Sequence, residues 1–223
     1  SNLSADSRLT NHSVGLVCYQ GNSQDIHKYI PTSLKQNCCF FVIEKKEYTD
    51  SIPSGCDYII VKNARRAWAH GCSFIYNHSE SHLSITGITG TNGKSSTVFI
   101  LGNLFKLIGL KFLTIGTLGF DMNGETFASS HTTPDPNILF PLLYKAKKKG
   151  LAHVFMEISS HSIEQYKVDP LKFDVYAFTS FSQDHLDFHN SMEAYFCAKI
   201  KPLSTNLNKN GVFIFKPLGS KIE

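Results

Sequence analysis

A glycine-rich stretch ending in Lys94 and Ser95 carries the plainest chemistry in this chain of 223 residues. Gly87-Ile88-Thr89-Gly90-Thr91-Asn92-Gly93-Lys94-Ser95-Ser96 follows a short apolar and β-branched run that begins at Ser84. After it come Val98, Phe99, Ile100, Leu101, Leu104, Phe105, Leu107 and Ile108, apolar at helical spacing. Strand, turn and helix in that order are the context of a phosphate loop. Glycines let the backbone curl with its N–H groups inward, and an anion collects those groups at the helix N-terminus. Lys94 would then reach the β- and γ-phosphates, and the Ser95 hydroxyl would take one position on Mg²⁺. The strict pattern has glycine at position 88, where this chain has Ile88. The plain alternative is a tight turn feeding a helix, with Lys94 solvated.

Two further clusters follow apolar runs. Glu157 ends Ala152-His-Val-Phe-Met156, with Ser159, Ser160 and His161 close behind. A carboxylate at such a strand end can hold the Mg²⁺ of a nucleotide, or it can simply face solvent. Gln183-Asp184-His185-Leu186-Asp187-Phe188-His189 follows Phe173–Phe178. Two histidines and two carboxylates in one turn can ligate a hard cation or place an acid–base group. Lys199, by contrast, reads from its neighbours as an ordinary surface lysine.

These side chains need elements to carry them. Residues 1–82 read as a small mixed α/β domain, with strands over 15–19, 39–43 and 57–61 and helices over 25–36 and 64–76. The polar run Asn77–His82 marks the boundary. Residues 83–223 read as an incomplete doubly wound, mainly parallel sheet around the phosphate loop. Its strands cover 111–115, 152–156, 173–178 and 211–215, its helices 137–149 and 191–203, and a hairpin turns at Asn123-Gly124.

Composition narrows the class. At 42% hydrophobic the chain can fill two small cores. Net charge is +4, and Lys145-Ala-Lys147-Lys148-Lys149 reads as a solvated helix end without interleaved aromatics, so no nucleic-acid partner is expected. The six cysteines form no C-x-x-C, which fits a reduced, cytoplasmic protein. No run is long and apolar enough to span a bilayer. The start at Ser1 rather than Met reads as a processed, engineered or cut end.

Thr-Gly-Thr-Asn-Gly-Lys-Ser, Glu-Ile-Ser-Ser-His and Asp-His-Leu-Asp-Phe-His, followed by Tyr195 and Ala198-Lys199, resemble the ATP-dependent Mur ligases. Asp6-Ser7-Arg8, the stretch Gly21 to Ile30 and His131-Thr-Thr-Pro134 narrow the resemblance to the MurE type. It implies ligation of a third amino acid, diaminopimelate or lysine, to UDP-N-acetylmuramoyl-L-alanyl-D-glutamate through an acyl phosphate. Gly90, Thr91, Asn92, Gly93, Lys94, Ser95 and Ser96 would bind ATP. Ala5, Ser7, Asn22, Ser23 and Gln24 would bind the uridine end of the substrate. His131, Thr132, Thr133, Ser159, Gln165 and Lys167 would bind its muramoyl-dipeptide. Ser95 and Glu157 would share one Mg²⁺, and His185 a second. Lys199 would be carbamylated and serve as an anionic ligand; as a plain amine it should point towards His185. Lys94, Lys199 and His185 would be the catalytic set, and a cytoplasmic monomer is expected.

Three departures stand out. Lys167 replaces a usual Arg and loses its bidentate fork. Ile26 replaces a usual Gly, and Lys216-Pro-Leu-Gly219 stands where the family has an Asn and an acidic pair. The family is about twice as long, so the resemblance implies that the C-terminal domain is absent and this chain alone is inactive. The rival readings are a non-catalytic UDP-sugar or nucleotide module, and another Mur or folylpolyglutamate synthetase-like ligase.

Overall fold

The computed structural model describes residues 2–21 and 24–215. The chain divides into two compact units, Ser1–Asn77 and His78–Glu223.

The first unit is built on four parallel strands in the order β1 (Asn2–Ser4), β2 (Val14–Cys18), β3 (Phe40–Ile43), β4 (Asp57–Ile60). Its helices are α1 (Ile30–Lys35) and α2 (Ala64–Ile75). Leu16, Cys18, Phe41 and Ile43 point to one face and are buried with Ile30, Cys38 and Ile52. Trp68 and Leu3 are both buried, and the Trp68 indole N–H donates to the Leu3 carbonyl at 2.9 Å, which fixes α2 to β1. The helix expected over 25–36 is a 3₁₀ turn, Ile26–Tyr29, running into α1. Pro31 lies in the first turn of α1, where its missing N–H costs nothing. β1 was not anticipated: three residues are too few to show a period.

The second unit runs β5 (Ser84–Thr89), α3 (Lys94–Leu107), β6 (Phe112–Gly116), β7 (Gly119–Met122), β8 (Glu125–Phe127), α4 (Pro136–Lys148), β9 (His153–Glu157), α5 (Ser160–Glu164), β10 (Phe173–Phe178), α6 (Leu186–His189), α7 (Met192–Ile200), α8 (Pro202–Thr205) and β11 (Leu207–Phe215). The sheet order is β11-β10-β5-β9-β6-β7-β8, parallel as far as β6 and closed by the antiparallel β7–β8 hairpin. The fold is the expected mainly parallel α/β sheet. Ile88, Phe112, Phe155 and Ala177 meet Val98, Leu101 and Phe105 of α3 on one face. Tyr176, alternating with Ala177, turns to the other face and donates its hydroxyl to the Lys199 carbonyl on α7 at 2.8 Å. Pro202 divides the helix expected over 191–203 into α7 and α8. Register places Ile88 beside Glu157 and Phe178 beside Thr89, so the carboxyl ends of β5, β9 and β10 open together.

Candidate functional site

β5 feeds directly into the glycine loop. Gly90 and Gly93 have φ of +138° and +87°, conformations closed to most side chains. A Cβ on Gly90 would also strike the Thr179 hydroxyl and approach the Ser180 nitrogen to 2.9 Å. The loop is held from outside by the segment that leaves β10. The Thr91 N–H donates to the Ser180 carbonyl (2.8 Å), the Asn92 N–H to the Ser180 hydroxyl (2.9 Å), and the Thr179 hydroxyl to the Asn92 carbonyl (2.6 Å). The Thr91 hydroxyl donates to the Ser182 carbonyl and accepts from its N–H, both at 3.1 Å, and lies 3.3 Å from the Tyr195 hydroxyl.

Lys94 opens α3 and folds back, donating to the carbonyls of Gly90 (2.9 Å) and Thr91 (2.8 Å). Burial pulls its amine below the usual lysine range, against the opposing charges of Glu157 and Asp184. Ser95 donates its hydroxyl to Glu157 Oε2 at 3.0 Å. Glu157 is buried, and its other donors are the Thr117 N–H (2.8 Å) and the Thr117 hydroxyl (3.4 Å). All three donors are neutral. The carboxylate therefore sits in a low-dielectric place with its charge uncompensated by direct contact, an arrangement that suits a divalent cation. Gly116 leaves room for it: a Cβ there would collide with the carboxylate. Beside Ser95 and Glu157 opens a cleft of about 190 Å³, walled by Val98, Phe99, Gly119 and Phe120.

The threonines of the His-Thr-Thr-Pro loop meet this centre. Thr132 lies 3.0 Å, hydroxyl to hydroxyl, from Thr117. The buried Thr133 hydroxyl donates to the Glu157 carbonyl (2.8 Å) and accepts from the Ser159 N–H (3.1 Å). Ser159 caps α5, accepting from the Ser162 N–H, and Gln165 ends that helix. His131 is exposed and pairs with the Ser130 hydroxyl at 2.9 Å. Lys167 is mostly buried and bonded to Asp135 at 2.7 Å.

Lys199 overturns its reading as a surface lysine. It is 1% exposed, its amine donates to the Gly90 carbonyl at 2.7 Å, and it lies 4.5 Å over the Tyr195 ring. The bond to Gly90 replaces the expected approach to His185. Local sequence could not show this, because the packing partner comes from the glycine loop that follows β5. His185 lies at the start of α6 in a left-handed conformation, its ring 4.8 Å from that of His161. His161 is also 5.7 Å from His189, which bonds to the Ser160 hydroxyl at 2.8 Å. Burial, and then the neighbouring histidines, pull His161 below its ordinary range. Ser95 and Glu157 thus stand together, whereas His185 belongs to a histidine and aromatic cluster. Among the described residues no three His, Cys, Asp or Glu side chains are grouped to hold a metal.

In the first unit Ser7 opens a 3₁₀ turn capped by Asp6, whose carboxylate is chelated by Arg8 at 2.6–3.1 Å. Ala5 precedes that turn. Gln24 accepts from the Gly21 N–H and, with Gln20, Asp25, Lys28 and Tyr29, lines a polar cavity of about 290 Å³. Asn22, Ser23 and Lys216–Gly219 lie outside the described residues. Sequence reasoning missed Thr117, Thr179 and Ser180. Their one available signal is position at the carboxyl ends of β6 and β10.

The model of the Mur ligase middle domain matches residues 88–217, from inside β5 through the loop, Glu157, His185 and Lys199. The chain belongs to the Mur ligase family. A UDP-N-acetylmuramoyl-L-alanyl-D-glutamate–2,6-diaminopimelate ligase of Parabacteroides distasonis is 33% identical over 201 residues, which are 90% of this chain and 41% of the relative. UDP-N-acetylmuramyl-tripeptide synthetase 2 of Oceanobacillus iheyensis is 34% identical, over 92% of this chain and 42% of its own length. This Mur ligase chain thus spans less than half the length of those curated relatives. A solved UDP-N-acetylmuramoyl-L-alanyl-D-glutamate–2,6-diaminopimelate ligase shares the fold at a TM-score of 0.77 and 22% identity, covering 96% of this chain and 42% of that one. A MurF ligase from Thermotoga maritima, solved with ADP, shares it at 0.63 and 16% identity, over 96% and 45%. No helix among the described residues is long and apolar enough to cross a membrane.

Proposed function

We propose that this chain is the nucleotide- and substrate-binding part of an ATP-dependent ligase that adds diaminopimelate or lysine to UDP-N-acetylmuramoyl-L-alanyl-D-glutamate. The observation that carries the reading is the Ser95–Glu157 pair at the mouth of the glycine loop, joined through Thr117 to Thr132. A hydroxyl and a buried carboxylate are hard oxygen donors, and their neutral surroundings favour an added cation, so Ser95 and Glu157 would hold Mg²⁺. Bound there, it would offset the charge that builds as a substrate carboxylate meets a triphosphate.

The chain's own residues do the rest. Gly90 to Ser96 cradle the phosphates, through N–H groups other than those of Thr91 and Asn92, which Ser180 already holds, and Lys94 exchanges its two carbonyl partners for phosphate oxygens. Thr132, Thr133, His131, Ser159, Gln165 and Lys167 orient the muramoyl-dipeptide so that its D-glutamyl carboxylate lies in line with the γ-phosphate. Transfer of the γ-phosphoryl to the carboxylate gives an acyl phosphate and releases ADP; the incoming amine attacks the acyl carbon, loses a proton, and phosphate leaves. Ala5, Ser7, Asn22, Ser23 and Gln24 read the uridine end. Lys199 is the candidate for carbamylation. Burial and the charge of Lys94 bring its amine down to about 7, so a neutral nitrogen is available to add CO₂ and shed a proton. With His185 the carbamate would face a second cation. The whole protein is read as a cytoplasmic monomer acting on a nucleotide-sugar peptide and an amino acid, without nucleic-acid or membrane partners.

The test is calorimetric titration of the chain with UDP-N-acetylmuramoyl-L-alanyl-D-glutamate and, separately, with Mg-ADP. Saturable binding of both is expected. Binding of neither, by a folded chain, would overturn the reading.

A further inference from the structure

We propose that Cys39 and Cys56 form a reversible dithiol, a modification site that a peroxide closes to a disulfide. β3 and β4 run parallel with Phe40 opposite Asp57. One residue earlier on both strands Cys39 stands opposite Cys56, and the pairing still holds there, because the Asp57 N–H donates to the Cys39 carbonyl at 2.9 Å. Neighbouring strands lie about 4.8 Å apart. That falls inside the window of roughly 4.4–6.8 Å between Cα atoms over which a disulfide closes without moving backbone. Cys56 packs on the core that Phe41 and Ile43 form, and its thiol comes within hydrogen-bonding reach of that of Cys39.

The two thiols have different surroundings. Cys39 is exposed and Cys56 is half-buried. Burial, and then a hydrogen bond with Cys39, push the Cys56 thiol up to about 11. Cys39 therefore meets the oxidant. Its thiolate attacks one peroxide oxygen, the O–O bond breaks, and hydrogen peroxide leaves a sulfenic acid on Cys39 and one water. The Cys56 sulfur then attacks the Cys39 sulfur, the S–O bond breaks, and hydroxide leaves as a second water with the Cys56 proton. Two thiols lose two electrons and the peroxide gains them. Cys18, Cys38 and Cys72 are buried, and burial raises the Cys18 and Cys72 thiols, so they do not compete. The segment that the bond would close carries Lys45 and Tyr48, both of which hold the Asp25 carboxylate (2.7 and 3.3 Å). Closing it would restrain the unfolded chain and tie down that support.

The experiment treats the whole chain with hydrogen peroxide, blocks remaining thiols with iodoacetamide and digests with trypsin without reductant. Lys45 and Lys46 separate the two cysteines into different peptides. The expected product is that pair joined and lighter by two hydrogen atoms, with fragmentation assigning the link to Cys39 rather than Cys38. Dithiothreitol should reverse it, and the thermal midpoint should rise on oxidation and fall back on reduction. Cys39→Ser and Cys56→Ser should each prevent the link; where Cys56→Ser fails to fold, the exposed Cys39→Ser decides alone. Alkylation of both residues after peroxide treatment, a Cys38–Cys39 link, or a link to a second chain would overturn the proposal.

Discussion

Lys94 and Lys199 donate to the same atom, the carbonyl oxygen of Gly90, at 2.9 and 2.7 Å. One arrives from the helix that the loop opens and the other from α7, more than a hundred residues along. Two amines on one acceptor cannot both stay fully protonated without cost, and the more buried of them yields.

That yielding gives a pH dependence. Burial first, then the charge of Lys94, brings Lys199 down to about 7, with Asp184 opposing. An unfolded lysine titrates near 10.4, so folding releases a proton between about pH 7 and 10. The unfolded chain binds more protons in that window, and stability therefore rises with pH across it. Urea midpoints of the parent should climb between about pH 7 and 9 relative to Lys199→Met. Parallel profiles for parent and variant would remove Lys199 as the source.

Glu157→Gln should separate stability from function. It neutralises a buried carboxylate whose hydrogen-bond donors are neutral. The unliganded protein should be as stable as the parent or more so, by about 1 kcal/mol. The gain in ADP affinity on adding Mg²⁺ should disappear. A variant that binds Mg-ADP as the parent does would take Glu157 out of the metal site.

Lys94→Ala removes the cation expected on the phosphates. Hydrogen bonds to charged groups contribute about 1.5–3 kcal/mol, so ADP affinity should fall roughly 10- to 100-fold. Affinity for the UDP-muramoyl dipeptide should be unchanged. Calorimetry against both ligands checks the split, and an equal loss for both would point to a disturbed fold.

Thr133 tests a division of labour. The resemblance to the Mur ligases implies a substrate-binding role for it, yet its hydroxyl already serves the Glu157 carbonyl and the Ser159 N–H. Thr133→Val leaves the Glu157 carbonyl and the part-buried Ser159 N–H short of a partner and should cost about 1–3 kcal/mol in chemical denaturation. Thr132→Val, whose hydroxyl meets only that of Thr117 among the described residues, should cost less and weaken dipeptide binding more. The reverse order would exchange their roles.

Much of this was legible in the chain. The glycine spacing, the apolar helix behind it and the continuous apolar strands placed the second unit's sheet and loop, because those patterns are local. Glu157 was legible as a strand-end carboxylate. Its burial was not, since that depends on β6 lying alongside and on Gly116 leaving room. Lys199 was misread for the same reason: nothing within its own helix says that Gly90 will lie against it. Thr117 and Thr179 are common residue types with no spacing to mark them. Only the register of neighbouring strands brings them to the site.

The clasp of Thr179, Ser180 and Ser182 around Thr91 and Asn92 bears on how this protein can be taken apart. A phosphate loop is often treated as a portable cassette, one strand, one turn and one helix that a designer can lift into another scaffold. Here the turn's outline is moulded by a strand end some ninety residues downstream. Transplanted without β10, the cassette would carry its glycines but not its curvature. The smallest portable piece runs from β5 to the end of α7, which brings Tyr195 to Thr91 and Lys199 to Gly90, and a protein engineer should cut there.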